Sequence, residues 1–275
     1  MSNDPIAIEL NVDAALFLKD LAGADSYPSV LALVPNIHRN EDRDRVNGVV
    51  AAELTARGIL EDGRPHPIIE HWLHCLYRPD TELAVRIVDT GLDGERRGML
   101  RLSLVRRGDT HVLAVRCDDH IVIQAVYQAE RRLDALAAAL VTALGPAPAL
   151  AFEPLTTSMD QFATIPPDPA RRRQALLELG ATAHTAGVLG RVLGEVARRA
   201  EVLMFEHHDG IDAVPEWCVS VLDTLSGRIV VTPSVAVDGG VRSVFAPGDD
   251  AALSGGIRAL VDLLPGRSWF ETSRA

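Results

Sequence analysis

The chain has 275 residues, of which 47% are hydrophobic, so it can bury a core as one large domain or two ordinary ones. Its formal net charge of −11 argues against nucleic-acid binding, which needs a basic patch, and against an anionic membrane surface. The three cysteines lie far apart without a CxxC motif, which disfavours disulfides and structural zinc and favours a reducing cytosol. The N-terminal residues do not resemble a signal peptide, and no apolar run reaches the ~18–20 residues of a membrane span. The sequence therefore predicts a cytoplasmic protein without membrane insertion.

The first part of the chain predicts a strand followed by several helices. Residues Ile6–Val12 alternate between apolar and polar, which indicates a strand, and Asp13 is placed to cap a helix over Ala14–Ala22. Ser29–Val34 is a short apolar run before a proline and is interpreted as a strand. Amphipathic spacing predicts two further helices, Asn40–Arg57 and Pro67–Leu76.

The middle of the chain predicts consecutive strands and then a helix. Tight turns rich in Gly and Asp, which tolerate positive φ, separate the last three strands. The predicted strands are Thr81–Asp89, Gly98–Arg107, His111–Cys117 and His120–Val126, and the helix is Arg131–Leu144.

A similar series returns near the C-terminus. Its predicted helices are Arg171–Leu179 and His184–Arg199; its strands are Glu201–His207, Trp217–Asp223, Ile229–Pro233 and Val241–Phe245; and a helix, Ala251–Leu264, ends it. The repetition predicts an internal duplication and a pseudo-twofold sheet, with halves at about residues 1–150 and 151–275. Two unrelated meanders in an α+β protein are the alternative. The proline-rich residues 145–170 are interpreted as a connector, with a functional lid as the alternative.

The second C-terminal helix contains three glycines, Gly187, Gly190 and Gly194, each of which costs roughly 1 kcal/mol in a helix interior. A close intramolecular neighbour would explain them. The other interpretation is a loosely held helix that opens for a partner helix.

No motif of known catalytic chemistry stands out. His71, His74 and Cys75 share one predicted helix without an HExxH motif or a third ligand, and His207 and His208 would point to opposite faces of a strand. A GxSxG elbow is absent, and a P-loop is excluded because Lys19 is the sole lysine and lies outside any such motif. The sequence therefore predicts a non-enzyme without metal or cofactor.

Several sequence segments, in the order in which they occur along the chain, resemble the EspG family of cytosolic chaperones of type VII (ESX) secretion in actinobacteria. The segments that carry the resemblance are Ile8–Asp13, Glu53–Leu60, Val105–Ala114, Leu222–Ser234, Phe245–Gly248 and Leu263–Phe270. The resemblance implies an α+β fold with a central, mostly antiparallel sheet, duplicated halves and helical bundles at both ends. It also implies binding to the apolar helical tip of a PPE-type protein within a PE–PPE heterodimer, which stays soluble until export.

The resemblance implies that the partner is contacted through the central sheet, a hairpin and the C-terminal helical bundle. These contacts would map here onto Leu104–His111 and onto the two helices at 171–199. The hairpin is short compared with some relatives, which bears on partner choice. The predicted partner-binding residues of the hairpin are Leu104, Arg106, Arg107, Gly108, Asp109 and His111. Those predicted to line an apolar cleft, with core packing as the alternative for several, are Leu176, Leu179, Val188, Leu189 and Val192. An enzyme or ligand-binding protein with a site between the halves is one alternative function. A self-associating scaffold is another, and a weak homodimer is left open.

Overall fold

The computed structural model describes residues 4–35, 37, 39–128, 130–210 and 214–274. In the first half, helices lie between an edge strand and a four-stranded meander. The helices are α1 (Val12–Leu21), a 3₁₀ helix (Ser29–Leu31), α2 (Asn40–Ala56), α3 (Pro67–Tyr77) and α4 (Asp134–Leu144). The strands are β1 (Ala7–Leu10), the short β2 (Leu60–Glu61) and β3 (Arg64–Pro65), β4 (Thr81–Asp89), β5 (Gly98–Arg107), β6 (Thr110–Cys117) and β7 (His120–Val126).

The second half repeats this order without the small β2–β3 hairpin and the 3₁₀ helix. Its strands are β8 (Leu155–Thr157), β9 (Val196–Glu206), β10 (Cys218–Thr224), β11 (Gly227–Val235) and β12 (Val241–Pro247). Its helices are α5 (Met159–Ala163), α6 (Pro169–Glu178), α7 (Ala183–Val192) and α8 (Asp250–Asp262). In both halves an edge strand, three helices, four strands and a helix follow one another. The duplication itself stays a prediction, which this repeated order supports.

Within the described residues, ten strands form one antiparallel sheet in the order β1-β7-β6-β5-β4-β9-β10-β11-β12-β8. All nine residues of β4 pair with β9, from Thr81 opposite Glu206 to Asp89 opposite Arg198. Each half therefore contributes five neighbouring strands in the same order outward from this pair. The halves meet as one continuous sheet around a pseudo-twofold between β4 and β9.

Helices α4 and α8 cover one face of this sheet. Leu136 and Leu140 of α4 and Ile257 of α8 are buried against alternate strand residues such as Val85 and Val202. We call this side the α4–α8 face. Successive strand side chains point to opposite sides, so the residues between these belong to the other face.

The other face is covered mainly toward its two ends, although Glu82 and Ala84 of the central strand β4 are also buried on this side. α1 and α3 pack on β5, β6 and β7, where Val112 and Ile121 are buried, and α2 packs against α1. α6 and α7 pack on β11 and β12, where Ile229 and Phe245 are buried. Between them lies a central strip, which we define by the half-buried or exposed side chains Arg86, Val88, Glu201, Leu203 and Ser220 of β4, β9 and β10.

Several local predictions were wrong. The predicted strand Ser29–Val34 contains instead the 3₁₀ helix, because Ala32 adopts a left-handed conformation with φ +48° and ends any extended run. The helix predicted over His184–Arg199 ends at Val192, and its last residues begin β9, where pairing with β4 satisfies their backbone groups. The cap of α1 is Asn11 rather than Asp13, since the Asn11 Oδ1 accepts from the Ala14 amide at 2.8 Å.

The capping geometry of α1 gives a test of stability. We expect Asn11→Ala to lower the free energy of unfolding by about 1 kcal/mol, because an N-terminal amide of the helix loses its acceptor. Asn11→Ser should retain most of that stability, because serine caps equally well. Urea unfolding followed by circular dichroism measures both variants. Equal losses in the two variants would show that the side-chain oxygen does not cap this helix.

Candidate functional site

The tip of the β5–β6 hairpin lies in solvent, whereas its base is buried. Arg107, Gly108 and Asp109 are exposed, and Gly108 turns the chain with φ +57°. Arg106 and His111 are only 3% and 4% exposed. Both were predicted as partner-binding residues of the hairpin, but their side chains are buried within the chain and are not accessible to a partner.

Arg106 is buried because the C-terminal segment folds over it. Its guanidinium donates to a carboxylate oxygen of Asp80 at 3.2 Å and to the carbonyl of Trp269 at 2.5 Å, and it also donates to the carbonyl of Thr272. Asp80 in turn accepts from the amides of Gly108 and Arg274, each at 2.8 Å. This cluster fixes the hairpin to the C-terminal residues.

His111 completes the same cluster as a neutral side chain. The indole Nε1 of Trp269 donates to its Nε2 at 3.0 Å, so the ring proton lies on Nδ1, near the carbonyl of Asp109 at 3.3 Å. Burial lowers the pKa of His111 below that of an exposed histidine. His111 therefore positions the hairpin and leaves Arg107, Gly108 and Asp109 as its accessible part.

The predicted cleft residues separate into core and partly exposed positions. Leu176, Leu189 and Val192 have no exposed surface and pack with strand residues under α6 and α7. Leu104 is equally buried, but on the α4–α8 face. Assigning Leu176, Leu189 and Val192 to an accessible cleft was wrong, because helical periodicity marks an apolar side without telling core from surface. Leu104, predicted as a partner-binding residue of the hairpin, is a core residue as well. Leu179 and Val188 are half-buried.

The glycines of this region fit the interpretation of a close intramolecular neighbour. A Cβ at Gly190 would lie 3.1 Å from the Cβ of Arg173, and one at Gly194 would lie 3.1 Å from the Arg172 guanidinium. A Cβ at Gly187 would meet no atom within 4 Å. Two of the three glycines therefore allow α6 to approach the end of α7.

An apolar groove of about 660 Å³ opens beside these helices, and sequence reasoning missed it. It lies between α5, the proline-containing residues 165–167, the end of α7 and the sheet. Its apolar lining residues include Met159, Phe162, Ile165, Leu193, Val196, Leu222, Val231 and Phe245. We call it the C-terminal groove. Ser220 and Arg199 also line it, so it is continuous with the central strip.

Buried Arg172 holds one wall of the C-terminal groove in place. Its guanidinium donates to the carbonyl of Gly190 at 3.1 Å and to the carbonyls of Pro166 at 3.3 Å and Pro167 at 2.5 Å. The side chain thus ties the proline-containing segment to α7. These contacts shape the groove, whereas the sequence had predicted a cleft formed by the apolar sides of the helices at 171–199.

The histidine and cysteine clusters have structural partners. His71 lies 3.1 Å from the hydroxyl of Thr110, and burial raises the pKa of the neighbouring Cys75 thiol to about 11. His207 and His208 contact different carboxylates, Glu82 at 3.3 Å and Glu206 at 3.0 Å. Among the described residues, no group of three or more His, Cys, Asp or Glu side chains could hold a metal ion. In the same part of the chain, no helix has the length and apolar character needed to cross a bilayer.

This architecture is shared with known proteins. The solved structure of the type VII secretion system chaperone EspG5 of Mycobacterium tuberculosis, in complex with a PE25–PPE41 dimer, superposes with a TM-score of 0.76 at 20% identity, covering 97% of this chain and all of that one. The predicted α+β fold is therefore confirmed. The chain is 29% identical over 272 residues to the ESX-1 secretion-associated protein EspG1 of Mycobacterium tuberculosis, covering 98% of this chain and 92% of that protein.

A third relative extends the comparison to another secretion system. The ESX-3 secretion-associated protein EspG3 of Mycolicibacterium smegmatis is 32% identical over 278 residues, covering 97% of this chain and 90% of that protein. The class of proteins that the chain resembles is thus the ESX secretion-associated proteins. The EspG family model matches residues 11–259, and the chain belongs to the EspG family. The family resemblance of the sequence is confirmed.

The buried pair at the hairpin base predicts a large loss of stability when one partner is removed. We expect Asp80→Ala to lower the free energy of unfolding by about 3–5 kcal/mol, because Arg106 would keep its charge in a buried place without a carboxylate. Glu271→Ala is the matched control, because it breaks an exposed ion pair with Arg131, 2.6 Å long, and should change stability little. Urea denaturation compares the two, and similar small losses would argue against the anchoring role.

His111 gives a dependence of stability on pH. Because its pKa is lowered in the folded state, protonation near the ordinary histidine pKa of about 6.5 favours the unfolded chain. Its contribution is complete above pH 7 and declines as the pH falls toward 5. The stability difference between the wild type and His111→Gln should therefore shrink over this range, by up to about 1.4 kcal/mol per pH unit. A difference that stays constant from pH 7 to 5 would show that His111 titrates normally.

Proposed function

We propose that this chain is a cytoplasmic, non-enzymatic chaperone that binds the apolar helical tip of a PPE-type protein in a PE–PPE heterodimer. Binding would keep the heterodimer soluble and competent for ESX secretion. Membership of the EspG family supports this role, as does the fold shared with EspG5, which was solved in complex with the PE25–PPE41 dimer. An apolar helical tip left in water favours aggregation, which a chaperone prevents by covering it.

The observation that carries the proposal is the C-terminal groove together with the central strip. An amphipathic helix binds by placing its apolar side in such a groove. Met159 at the groove wall is 54% exposed, although it is apolar, so contact with a partner would remove it from water. The groove opens onto the strip through Ser220, which gives a helix room to continue across the sheet.

The β5–β6 hairpin offers a second contact. Its exposed residues Arg107, Gly108 and Asp109 are presented by the buried base at Arg106 and Asp80, so little ordering is needed on binding. Arg107 also donates to the carbonyl of His74 at 3.1 Å, which orients its stem. We propose these three hairpin residues, with half-buried Leu179 and Val188, as the part of the predicted site that a partner reaches.

Co-expression tests the function directly. The chain should keep a PE–PPE heterodimer from the same genome in the soluble fraction and co-purify with it. The same heterodimer expressed alone should be found mainly in the pellet. Light scattering of the purified chain separates this function from that of a self-associating scaffold. Failure to bind any PE–PPE pair of that genome would overturn the proposal.

A substitution in the groove tests where the partner binds. We expect Met159→Asp to weaken binding of the PE–PPE heterodimer about 10- to 100-fold, because a carboxylate would be desolvated against the partner's apolar helix. Val49→Asp is the matched control, since Val49 is 66% exposed on α2, outside the groove. Calorimetric titration measures both, and unfolding curves confirm that both variants fold. Unchanged affinity of Met159→Asp would place the partner elsewhere.

A further inference from the structure

Three arginines of neighbouring strands stand side by side in the sheet. Arg86 of β4 is directly opposite Arg101 of β5, which is directly opposite Arg116 of β6. Their neighbours along each strand, such as Val85 and Leu102, point to the α4–α8 face, so the three arginines lie on the side of the central strip. Like charges directly opposite one another destabilise a sheet, so this row calls for an explanation.

Contacts within the chain orient the row but neutralise little of its charge. Arg86 forms an ion pair with Glu201. Arg101 donates to the carbonyl of Val30 at 3.2 Å, and Arg116 donates to the carbonyl of Leu31 at 2.8 Å. A carbonyl accepts a hydrogen bond without carrying a compensating charge. Within the described residues, neither Arg101 nor Arg116 has an ion pair at all.

A concave site of about 290 Å³ lies at the outer end of the row. Its polar lining consists mainly of guanidinium groups, from Arg96, Arg97, Arg101 and Arg116, with Asp118 at one side. Arg97 is paired with Asp93 at 2.9 Å, whereas Arg96 is exposed and forms no ion pair with a described residue. Burial lowers the pKa of Arg101, and repulsion from Arg116, Arg86 and Arg96 lowers it further. Positive charge is thus concentrated here on a chain whose net charge is −11.

The row leads into the C-terminal groove. Arg86 pairs across the sheet with Glu201, which pairs with Ser220, a residue of the groove lining. Because neighbouring strands lie about 4.8 Å apart, Arg101 and Arg116 lie about 14 and 19 Å from Ser220. A helix rising 1.5 Å per residue covers that distance in about 10–13 residues. One partner helix can therefore reach both the groove and the row.

We propose that the arginine row, formed by Arg86, Arg101 and Arg116, together with Arg96 of the adjoining concave site, binds carboxylate side chains of the partner whose apolar part occupies the C-terminal groove. This inference rests on the proposed function and adds the chemistry of the partner: Asp or Glu residues about 10–13 positions from its apolar anchor. Guanidinium groups suit carboxylates because their paired N–H groups match the two oxygens. The spread of the row over three strands fits a series of carboxylates better than one compact phosphate.

Charge changes in the row test the inference through association kinetics. Charges at the edge of an interface act mainly on the association rate and its salt dependence. We expect the double variant Arg86→Gln/Arg96→Glu to lower the association rate with a PE–PPE heterodimer about tenfold at 50 mM NaCl. Its rate should also depend less on salt between 50 and 500 mM than that of the wild type. Arg258→Glu, at an exposed arginine of α8 on the opposite face, is the control and should leave both quantities unchanged. It changes the net charge by −2, compared with −3 in the double variant.

The outcomes separate this inference from the proposed function. The inference would be overturned if Met159→Asp abolishes binding while the arginine changes alter neither the association rate nor its salt dependence. The proposed function would then still stand. Equal effects of Arg258→Glu and the double variant would also overturn it, because net charge alone would then explain the rate. Inorganic phosphate that binds the wild type at micromolar concentration, but not the double variant, would reassign the site to a small anion. The inference would be supported if changing a Glu or Asp of the partner to Lys restores its association rate with the double variant.

Discussion

The pairing of β4 with β9 decides how the rest of this molecule is arranged. All nine residues of β4 pair with β9, and this joins two five-stranded halves edge to edge in one continuous sheet. Each half carries its three-helix layer over its own strands. Between the layers Arg86 of β4 and Glu201 of β9 are exposed, whereas Ala84 on the same side of β4 is buried. On the opposite side α4 and α8 do meet, and together they bury the middle of the sheet. The same symmetry therefore closes one face and leaves the other open between the helical layers.

The two helical layers have the same order of helices, but they differ in how much of the sheet in their own half they cover. In the first half α2 alone has 17 residues, and α1, α2 and α3 enclose a continuous core. In the second half the corresponding first helix, α5, has five residues and is followed by a proline-containing segment. Arg172 anchors that segment to α7 through carbonyl contacts, and the C-terminal groove lies between the segment and the sheet. The C-terminal groove is the space that the shorter layer leaves.

The sequence was informative where a pattern is local and repeated. The hairpins, the long helices and the repeated order follow from alternation, helical spacing and turn residues within a few positions of one another. The roles of Arg106 and His111 could not be predicted in this way, because their partner Trp269 lies about 160 residues further along the chain. The groove was missed because α5 is too short to show a helical period. Leu176 and Leu189 show a further limit of prediction from sequence. The apolar side of a helix can pack against the chain's own sheet or against a partner, and its pattern is the same in both cases.

In binding the proposed partner, charge and apolar surface would have different roles, because charges act over a longer distance than apolar contacts. A chain of net charge −11 repels an acidic partner at long range, but physiological salt screens exposed charges beyond about 8 Å. Near the surface, only nearby groups matter, and around Arg101 these are mostly arginines. The apolar groove would supply most of the affinity through burial, yet it carries no information about the direction of a helix. In the proposed complex the arginine row would set the direction of the helix, because only one orientation brings carboxylates to the guanidinium groups and the other leaves them unpaired.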